Sequence, residues 1–266
     1  MQGVSYLITY REAGSRDRRE NLLAVLRWLG QWPGIQIVVV EQDTVPWLDR
    51  DPPLPKSGAG LAYNPGPFNK AWGFNVAARV ARGPVLALGD ADVIVPRALL
   101  DAVRRCQEGL GAVKPYRTIV DLTPEETARV HGGEWELVPT RPADTPRNRE
   151  GQGEHVVFAG GLFVIQRETY LRIGGFDERF LGWGGEDDAM TAKLERAGVP
   201  LTEIGDEPAL HLWHPRPTES TLGQPHYETN RRLLCDYAAY SDAEFARMCE
   251  VQRQVMGNLH KYRPAA

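Results

Sequence analysis

Three acidic residues stand side by side after a glycine-rich stretch in the second half of the chain. In FLGWGGEDDA, residues 180–189, Trp183 lies among glycines and is followed by Glu186, Asp187 and Asp188. Adjacent carboxylates repel one another, so this grouping needs an explanation, and two are possible. The acids could open a helix, whose dipole stabilises each acid in its first turn by ~0.3 to 1 kcal/mol. Alternatively, they could take part in chemistry.

A second pair of acids, Asp90 and Asp92, ends the segment VLALGDAD, in which residues 85–89 predict a buried strand. Residues two apart on an extended chain point the same way, and ligands of open α/β sheets bind where the strands end. Two carboxylates that converge on one point favour a divalent cation, and oxygen ligands suit Mg²⁺ or Mn²⁺. Such an ion could bridge to the phosphates of a nucleotide. An ordinary turn after the strand is the alternative interpretation.

Two histidines lie three residues apart in HLWHP, at His211 and His214. Their rings converge if the chain turns tightly between them. A single histidine is more often a core or surface residue, but a pair beside an acidic strand end that needs a cation favours a metal site. Imidazole nitrogen together with carboxylate oxygen favours Mn²⁺ or another transition ion over Ca²⁺.

The bulk properties exclude some classes of function. The 266-residue chain has a formal net charge of −4, so no overall basic field favours nucleic acid or an anionic membrane. The start, MQGVSYLITYREAG, lacks the features of a signal peptide, and the apolar runs elsewhere are too short to span a bilayer. The three cysteines form no CxxC pair, which is typical of a reduced chain. We therefore expect a cytoplasmic protein without an integral membrane segment.

The order of the elements predicts an α/β protein. An apolar segment at residues 4–9, a helical pattern that ends at Gly30 and the segment IQIVVV at 35–40 predict a parallel βαβ unit. A long connection rich in proline and glycine is expected at 43–67, and a helix at 68–81 in which Trp72, Val76 and Val80 share one face. Continued alternation of strands and helices favours a largely parallel sheet.

The second half of the chain gives weaker signals. The composition of residues 121–155 shifts to Pro, Arg, Glu and Gly, and its last stretch, residues 140–155, predicts a mobile flap. VVFAGGLFVIQ predicts a strand that carries Gly160 and Gly161. A helix is expected over 186–197, and two more complete the chain, over 226–240 and 242–260.

The motifs FNKAWGFNVA, GDADVIVP, FAGGLFVI, GGFDERFLGWGGEDDA and HLWH occur in an order that resembles the GT-A glycosyltransferases. The resemblance covers about residues 4–215 and is strongest to the group with a β-1,4-galactosyltransferase-like C-terminal region, shared with polypeptide N-acetylgalactosaminyltransferases and chondroitin-polymerising enzymes. It implies the GT-A fold of nucleotide-diphospho-sugar transferases, with a mostly parallel central sheet flanked by helices. We expect a GT-A domain over residues 1–218 and a C-terminal helical extension, residues 219–266, packed on the same domain.

The resemblance also implies a metal and nucleotide site. Asp92, His211 and His214 match metal-ligand positions, for Mn²⁺ or Mg²⁺, although the galactosyltransferases have methionine where His211 stands. Asp90 is expected on the nucleotide or on a metal-bound water. Lys70 matches an arginine that holds the diphosphate. The lysine keeps the positive charge but lacks the two parallel N–H donors with which a guanidinium binds phosphate. Further positions expected near the nucleotide are Thr9, Arg11, Glu41 and Gln42.

On the acceptor side, Asp187 matches the catalytic base of the family. Three positions match residues that line the donor and acceptor sugars: Trp183, Glu186 and Asp188. Two more, Gly160 and Gly161, would let the backbone approach the donor sugar closely. The implied activity is metal-dependent, inverting transfer of a hexose of the galactose, N-acetylgalactosamine or glucose type. The expected donor is a UDP-sugar, and the expected acceptor is a hydroxyl of a carbohydrate, a glycolipid or a small molecule.

Two other classes of function compete with this interpretation. A nucleotidyltransferase on a related fold needs a glycine-rich phosphate loop after the first strand, but REAGSRDRR contains a single glycine. A non-catalytic carbohydrate-binding module would not need the complete set of base, paired acids and histidines that the sequence contains.

Overall fold

A seven-stranded sheet forms the centre of the protein in the computed structural model, which describes residues 1–12, 14–48, 58–140, 157–215 and 225–263. In chain order its strands are β1 (Val4–Tyr10), β2 (Gln36–Asp43), β3 (Gly58–Tyr63), β4 (Val85–Gly89), β6 (Ala112–Lys114), β8 (Leu162–Gln166) and β9 (Leu201–Glu203). Their spatial order is β3-β2-β1-β4-β8-β6-β9. Within the described part of this sheet, β8 alone runs antiparallel to its neighbours.

A small second sheet lies at the carboxyl end of β4. It contains β5 (Val93–Ile94), β7 (Ile119–Asp121) and β10 (Ala209–His211), in the order β5-β10-β7. His211 is opposite Val93 on one side and opposite Asp121 on the other. The small sheet therefore brings three distant parts of the chain to the same place.

Eight helices complete the described residues. They are α1 (Arg16–Leu29), α2 (Lys70–Val80), α3 (Leu99–Gln107), α4 (Pro124–His131), α5 (Arg167–Arg172), α6 (Glu186–Arg196), α7 (Pro225–Ala239) and α8 (Asp242–Val255). The α/β class and the mostly parallel sheet expected from the sequence are confirmed. No helix among the described residues combines the length and the apolar character that crossing a membrane requires.

The core lies on both faces of the large sheet, and the strand sequences explain why. In β1, Tyr6 and Ile8 pack into one apolar cluster with Trp28 of α1, whereas Leu7 packs into a second cluster with Trp72 of α2. Successive side chains of a strand point to opposite faces. A parallel sheet covered on both faces therefore needs a continuous apolar run, which VSYLITY supplies.

Two elements arise where the sequence predicted irregular chain. β3 pairs with β2 over six residues inside the connection expected at 43–67. Its sequence, GAGLAY, is rich in small residues and lacks the β-branched pattern of a strand, but its place at the sheet edge requires only backbone pairing. Residues 49–57 of that connection lie outside the described residues.

Helix α4 lies in the polar stretch 121–155, ahead of the flap expected at 140–155. It begins with a capping box, in which the side chains of Thr123 and Glu126 each accept a bond from the other's backbone N–H. This local signal, with Pro124 at the first helical position, outweighs the polar composition. Residues 141–155 of the expected flap are outside the described part of the chain.

Two smaller expectations were wrong. Val80 does not share the buried face of α2 with Trp72, since its side chain is 57% exposed at the end of the helix. Gly160 and Gly161 precede β8 rather than lying within it, and the 78° φ of Gly161 explains why the strand begins only at Leu162.

The C-terminal helices pack beside α6. Phe180 and Ala189 form a cluster with Tyr237 of α7 and Phe245 of α8. Tyr237 also donates a hydrogen bond of 2.8 Å to the buried Asp177 carboxylate. The boundary expected at residue 218 stays a prediction.

The close packing of α2 on β1 and β2 can be tested at Gly73. A Cβ atom at this position would lie 1.9 Å from Thr9 Oγ1 and 2.5 Å from Gln42 Nε2. Gly73→Ala should therefore lower the free energy of unfolding by about 1 to 3 kcal/mol or more. Urea denaturation measures this change. Gly60→Ala in β3 is the control, since a Cβ there meets nothing within 4 Å, and equal losses in the two variants would contradict the packing.

Candidate functional site

The carboxyl end of β4 carries the two acids that the sequence pointed to. The backbone N–H of Asp90 donates to the carbonyl of Gly161 at 2.8 Å, and the carbonyl of Asp92 accepts from Leu212 at 2.8 Å. These two backbone bonds fix the strand end between the turn that precedes β8 and the segment that follows β10. Both histidines therefore lie beside the acids, as expected for ligands at this edge of an α/β sheet.

One carboxylate and two imidazoles converge at this point. One ligand atom each from Asp92, His211 and His214 lie within 4.8 Å of one another. His214 Nε2 is 3.1 Å from Asp92 Oδ2, and His211 Nε2 is 3.7 Å from Asp92 Oδ1. A donor set of two nitrogens and one oxygen fits a divalent transition ion such as Mn²⁺.

Asp121 orients the first histidine. Its Oδ1 lies 2.6 Å from His211 Nδ1, which leaves Nε2 directed at Asp92. A carboxylate partner on the far ring nitrogen fixes the tautomer of a metal-binding histidine and makes it more basic. The sequence did not single out Asp121. Its role arises from the register of β7 against β10, which no local pattern reveals.

Two helices hold the peptide between the histidines. Asn21 of α1 donates from Nδ2 to the carbonyl of Trp213 at 3.1 Å, and Thr127 of α4 accepts from the Trp213 N–H at 2.9 Å. His131 of α4 forms a 2.8 Å hydrogen bond with Asn21 Oδ1. The turn that presents His214 is thus fixed from both sides, although it is not helical.

The charges at the histidine site depend on one another. Burial alone would raise the pKa of Asp92, but His211 and the hydrogen bond with His214 outweigh it and lower the pKa of Asp92 to about 2. The same hydrogen bond raises the pKa of His214. The site therefore keeps an ionised carboxylate that is ready to bind a cation.

Lys70 joins the strand-end acids to the acidic run of α6. Its Nζ lies 3.0 Å from an oxygen of Asp90, 3.0 Å from Asp187 Oδ2 and 3.8 Å from Glu186 Oε1. Burial lowers the pKa of Lys70, but these three carboxylates outweigh it and hold the pKa well above its ordinary value. Lys70 is therefore a fixed cation at the centre of the site.

Asp187 has the environment of a base. Burial, with the charges of Glu186 and Asp90, outweighs the attraction of Lys70 and raises the pKa of Asp187 to about 8. Oδ2 is held by Lys70, whereas Oδ1 has no hydrogen-bond partner among the described residues. A carboxylate that titrates near neutral pH and has one unpaired oxygen can accept a proton from a bound group.

The acidic run opens a helix, as the first explanation expected, and its part in chemistry stays a prediction. Glu186, Asp187 and Asp188 occupy the first turn of α6, where the helix dipole favours them. The chain enters the helix through Gly185, which has a φ of 88°. Burial raises the pKa of Glu186 as well. Trp183 lies just before this turn and stacks against Tyr227 of α7, with 5.8 Å between ring centroids.

Gly160 and Gly161 have different surroundings. A Cβ on Gly160 would come 3.6 Å from Asp187 Oδ2, so Gly160 borders the acidic cluster. The space beside Gly161 is taken by Tyr116, whose hydroxyl would be 2.2 Å from a Cβ there. That hydroxyl donates to the Gly160 carbonyl at 2.6 Å and accepts from Leu162 at 3.0 Å.

The four residues expected near the nucleotide bond mainly to the protein itself. Gln42 is fully buried and donates to Thr9 Oγ1 at 2.7 Å and to the carbonyl of Asn69 at 2.8 Å. Glu41 accepts from the backbone of residues 47 and 48. Arg11 donates to the carbonyls of residues 42, 64 and 66. These side chains shape the wall of the site, and direct contact with a nucleotide stays a prediction.

Comparison with known proteins supports the resemblance seen in the motifs. A family model described as the N-terminal domain of galactosyltransferase matches residues 150–214. Human chondroitin sulfate N-acetylgalactosaminyltransferase 2 is 26% identical over 198 residues, which is 73% of this chain and 35% of that protein. Validoxylamine A glucosyltransferase of Streptomyces hygroscopicus subsp. jinggangensis (strain 5008) is 27% identical over 58% of this chain and 43% of its own length. The chain thus spans less than half of these curated relatives.

Solved structures show the same architecture. Drosophila β-1,4-galactosyltransferase 7 with manganese, UDP-Gal and xylobiose has a TM-score of 0.52 at 18% identity, covering 87% of this chain and 80% of that one. GalNAc-T7 with UDP, GalNAc and Mn²⁺ has a TM-score of 0.55 at 15% identity, covering 94% and 54%. The mannosyltransferase PcManGT of Pyrobaculum calidifontis with GDP-Man and Mn²⁺ has a TM-score of 0.51 at 20% identity, covering 97% and 70%. The GT-A fold is confirmed, and so is the resemblance to glycosyltransferases of the galactosyl and N-acetylgalactosaminyl type.

The contact between Asp121 and His211 gives a prediction about metal affinity. Asp121→Asn keeps the shape of the side chain but removes the negative charge beside His211 Nδ1. Mn²⁺ should then bind roughly tenfold more weakly. This is the smaller of the losses that follow when a metal-binding histidine loses its carboxylate partner. Titration calorimetry with Mn²⁺ measures the change, and Glu134→Gln, an exposed carboxylate just after α4, is the control. Unchanged affinity in Asp121→Asn would contradict the assigned role.

Proposed function

We propose that this protein is a metal-dependent, inverting glycosyltransferase that moves a hexose from a UDP-sugar to an acceptor hydroxyl. The observation that carries the proposal is the arrangement of Asp187. One of its oxygens is held by Lys70, which also contacts Asp90 at the strand end, and the other has no partner among the described residues. A base next to a cation-binding strand end is the arrangement that glycosyl transfer from a nucleotide diphosphate requires.

Asp92, His211 and His214 would hold the metal ion, with Mn²⁺ favoured by their donor atoms. When bound, such an ion neutralises charge on a diphosphate and so makes it a better leaving group. Asp90 and Lys70 would contact the nucleotide side of the donor. Lys70 carries a positive charge that its three carboxylate neighbours keep in place, so it supplies a fixed cation for the departing phosphates.

Asp187 would take the proton of the acceptor hydroxyl as its oxygen attacks the anomeric carbon. A single displacement with one base gives inversion at that carbon. Trp183, Glu186 and Asp188 lie within four residues of the base along the chain, so we assign them to the sugars. Gly160 borders Asp187 and leaves room there, since a side chain on it would approach the carboxylate.

The donor is proposed as a UDP-sugar of the galactose, N-acetylgalactosamine or glucose type. Two of the structural neighbours were solved with UDP or UDP-Gal, and a third with GDP-Man. The acceptor is proposed as a carbohydrate, a glycolipid or a small molecule. The Drosophila structure was solved with a carbohydrate, xylobiose, beside UDP-Gal.

Replacing the base should stop transfer without preventing donor binding. Asp187→Asn keeps the size of the side chain but cannot accept the proton, so kcat should fall by about 10² to 10⁴. Mn²⁺-dependent UDP affinity should stay within a few fold. Glu195→Gln, an exposed acid near the other end of α6, is the matched control.

The pH profile tests the same assignment. Asp187 works as a base only when ionised, and its pKa is raised to about 8. The kcat/KM of the unchanged protein should therefore increase with pH up to about 8 and then level off. The residual rate of Asp187→Asn should lack this increase. An unchanged turnover number in the variant would refute the role of Asp187.

Removing the metal ligand should abolish the response to nucleotide. Thermal unfolding with Mn²⁺ and UDP should shift upward, since ligand at 100 times its dissociation constant stabilises a protein by about 2.7 kcal/mol. Asp92→Ala should lose this shift, as should the unchanged protein in EDTA. A shift with GDP but none with UDP would contradict the proposed donor, and a full shift in Asp92→Ala would contradict the metal site.

A further inference from the structure

The segment Leu181–Gly185, called here the tryptophan loop, enters α6 without regular backbone pairing. Its three glycines have φ angles of 69°, 96° and 88° at positions 182, 184 and 185. Glycine adopts these values at no steric cost, but it also leaves the chain with more freedom than other residues. A loop of this composition needs partners from elsewhere in the protein if it is to hold Trp183 in one place.

Asn230 of α7 supplies those partners. Its side chain accepts from the N–H of Leu181 at 3.2 Å, and its Nδ2 donates to the carbonyls of Leu181 at 2.9 Å and Gly184 at 2.8 Å. A third, longer contact of 3.3 Å reaches the carbonyl of Trp183. Asn230 is 2% exposed, so these bonds are shielded from water. One amide thus contacts four backbone groups of the tryptophan loop, and the carbonyl of Phe68 accepts from the Gly182 N–H at 2.8 Å.

Tyr227, one helical turn earlier on α7, covers one face of Trp183. The two rings are almost parallel, with an angle of 16° between their planes. The loop backbone also lies against this ring, because a Cβ on Gly184 would be 3.4 Å from two of its atoms. Residues three apart share a helix face, so Tyr227 and Asn230 form one surface against the loop.

The position of Tyr227 and Asn230 within the site indicates which of the two substrates, acceptor or donor, they lie near. The tryptophan loop leads directly into the turn that carries Asp187, whereas the strand-end acids Asp90 and Asp92 approach from β4. The proton that Asp187 would accept belongs to the acceptor. The loop and its support from α7 therefore belong to the acceptor half of the site rather than to the diphosphate half.

We propose that Tyr227 determines acceptor affinity and that Asn230 is a positioning residue for the same half-site, an inference that rests on the proposed transferase function. By fixing the indole of Trp183, the two residues present a flat apolar surface beside a base. The acceptor that fits is a cyclic polyol, a pyranose or a cyclitol, whose C–H face lies on the indole while a hydroxyl reaches Asp187. Both residues lie outside residues 150–214, which match the galactosyltransferase family model.

The test compares Tyr227→Ala with Tyr227→Phe, which keeps the stacked ring. The acceptors are p-nitrophenyl glycosides of glucose, galactose, xylose and N-acetylglucosamine, together with myo-inositol. For the best acceptor of this panel, Tyr227→Ala should raise KM roughly fivefold, in line with the loss of one aromatic pair, and Tyr227→Phe should restore it. Donor hydrolysis without acceptor and Mn²⁺-dependent UDP affinity should stay within twofold. Arg232→Ala, an exposed change on the same helix, should leave every parameter unchanged.

Asn230→Ala should have the larger effect, with acceptor KM raised about tenfold or more, since it removes the amide that holds Leu181, Trp183 and Gly184 while the strand-end acids stay in place. If this variant fails to fold, the comparison of Tyr227→Ala with Tyr227→Phe still tests the inference, because Tyr227 is partly exposed and its replacement should not prevent folding. Acceptor KM within twofold of normal in Tyr227→Ala would overturn the inference. Donor hydrolysis without transfer to any member of the panel would overturn the acceptor class. No hydrolysis and no transfer from any sugar nucleotide with Mn²⁺ would instead refute the proposed function itself.

Discussion

The contact of Lys70 with the acids of two distant segments is the interaction on which the rest of the site depends. It brings Asp90 at the end of β4 and Asp187 in the first turn of α6 within 3.0 Å of one nitrogen. Lys70 is the first residue of α2, where the helix dipole disfavours a positive charge. The carboxylates offset that cost, and in return the lysine limits the repulsion between them. Removing this one cation would leave three partly buried acids without their shared counterion, which favours their protonated forms.

Buried amide side chains hydrogen-bond to irregular backbone around Lys70 and its acids. Asn21, Gln42, Asn69, Asn75 and Asn230 are each no more than 2% exposed. Asn69 accepts from the backbone of Trp72 at the start of α2 and donates to the carbonyl of Glu178, while Asn75 binds the backbone of Phe176 through both its oxygen and its nitrogen. An amide offers both donors and acceptors, so it can pair irregular backbone that no strand or helix satisfies. The site is thus built from loops, but these loops have fixed partners.

Much of this arrangement could be predicted from the sequence, and the exceptions have a physical reason. The strand-end acids, the histidine pair and the acidic helix start are local patterns, and each lies where its pattern predicted. The roles of Asp121 and Asn230 depend on strand register and on the packing of a distant helix, which leave no mark on neighbouring residues. Thr9 and Gln42 are a different case. The resemblance places both near the nucleotide, and in the structure they are buried and hydrogen-bonded to each other, so their contact with a nucleotide stays a prediction. Strand β3 escaped prediction because an edge strand of small residues needs no apolar pattern.

The position of β8 has a consequence for the order in which the protein is assembled. β8 lies between β4 and β6, although it follows both of them in the chain. During synthesis, β4 and β6 therefore emerge with open edges, and neither can complete its pairing until residue 166 has left the ribosome. Open edges of apolar strands readily pair with other chains. The nascent chain thus passes through a stage at which apolar strand edges are open to pairing with other chains, and both histidines and α7 emerge after β8.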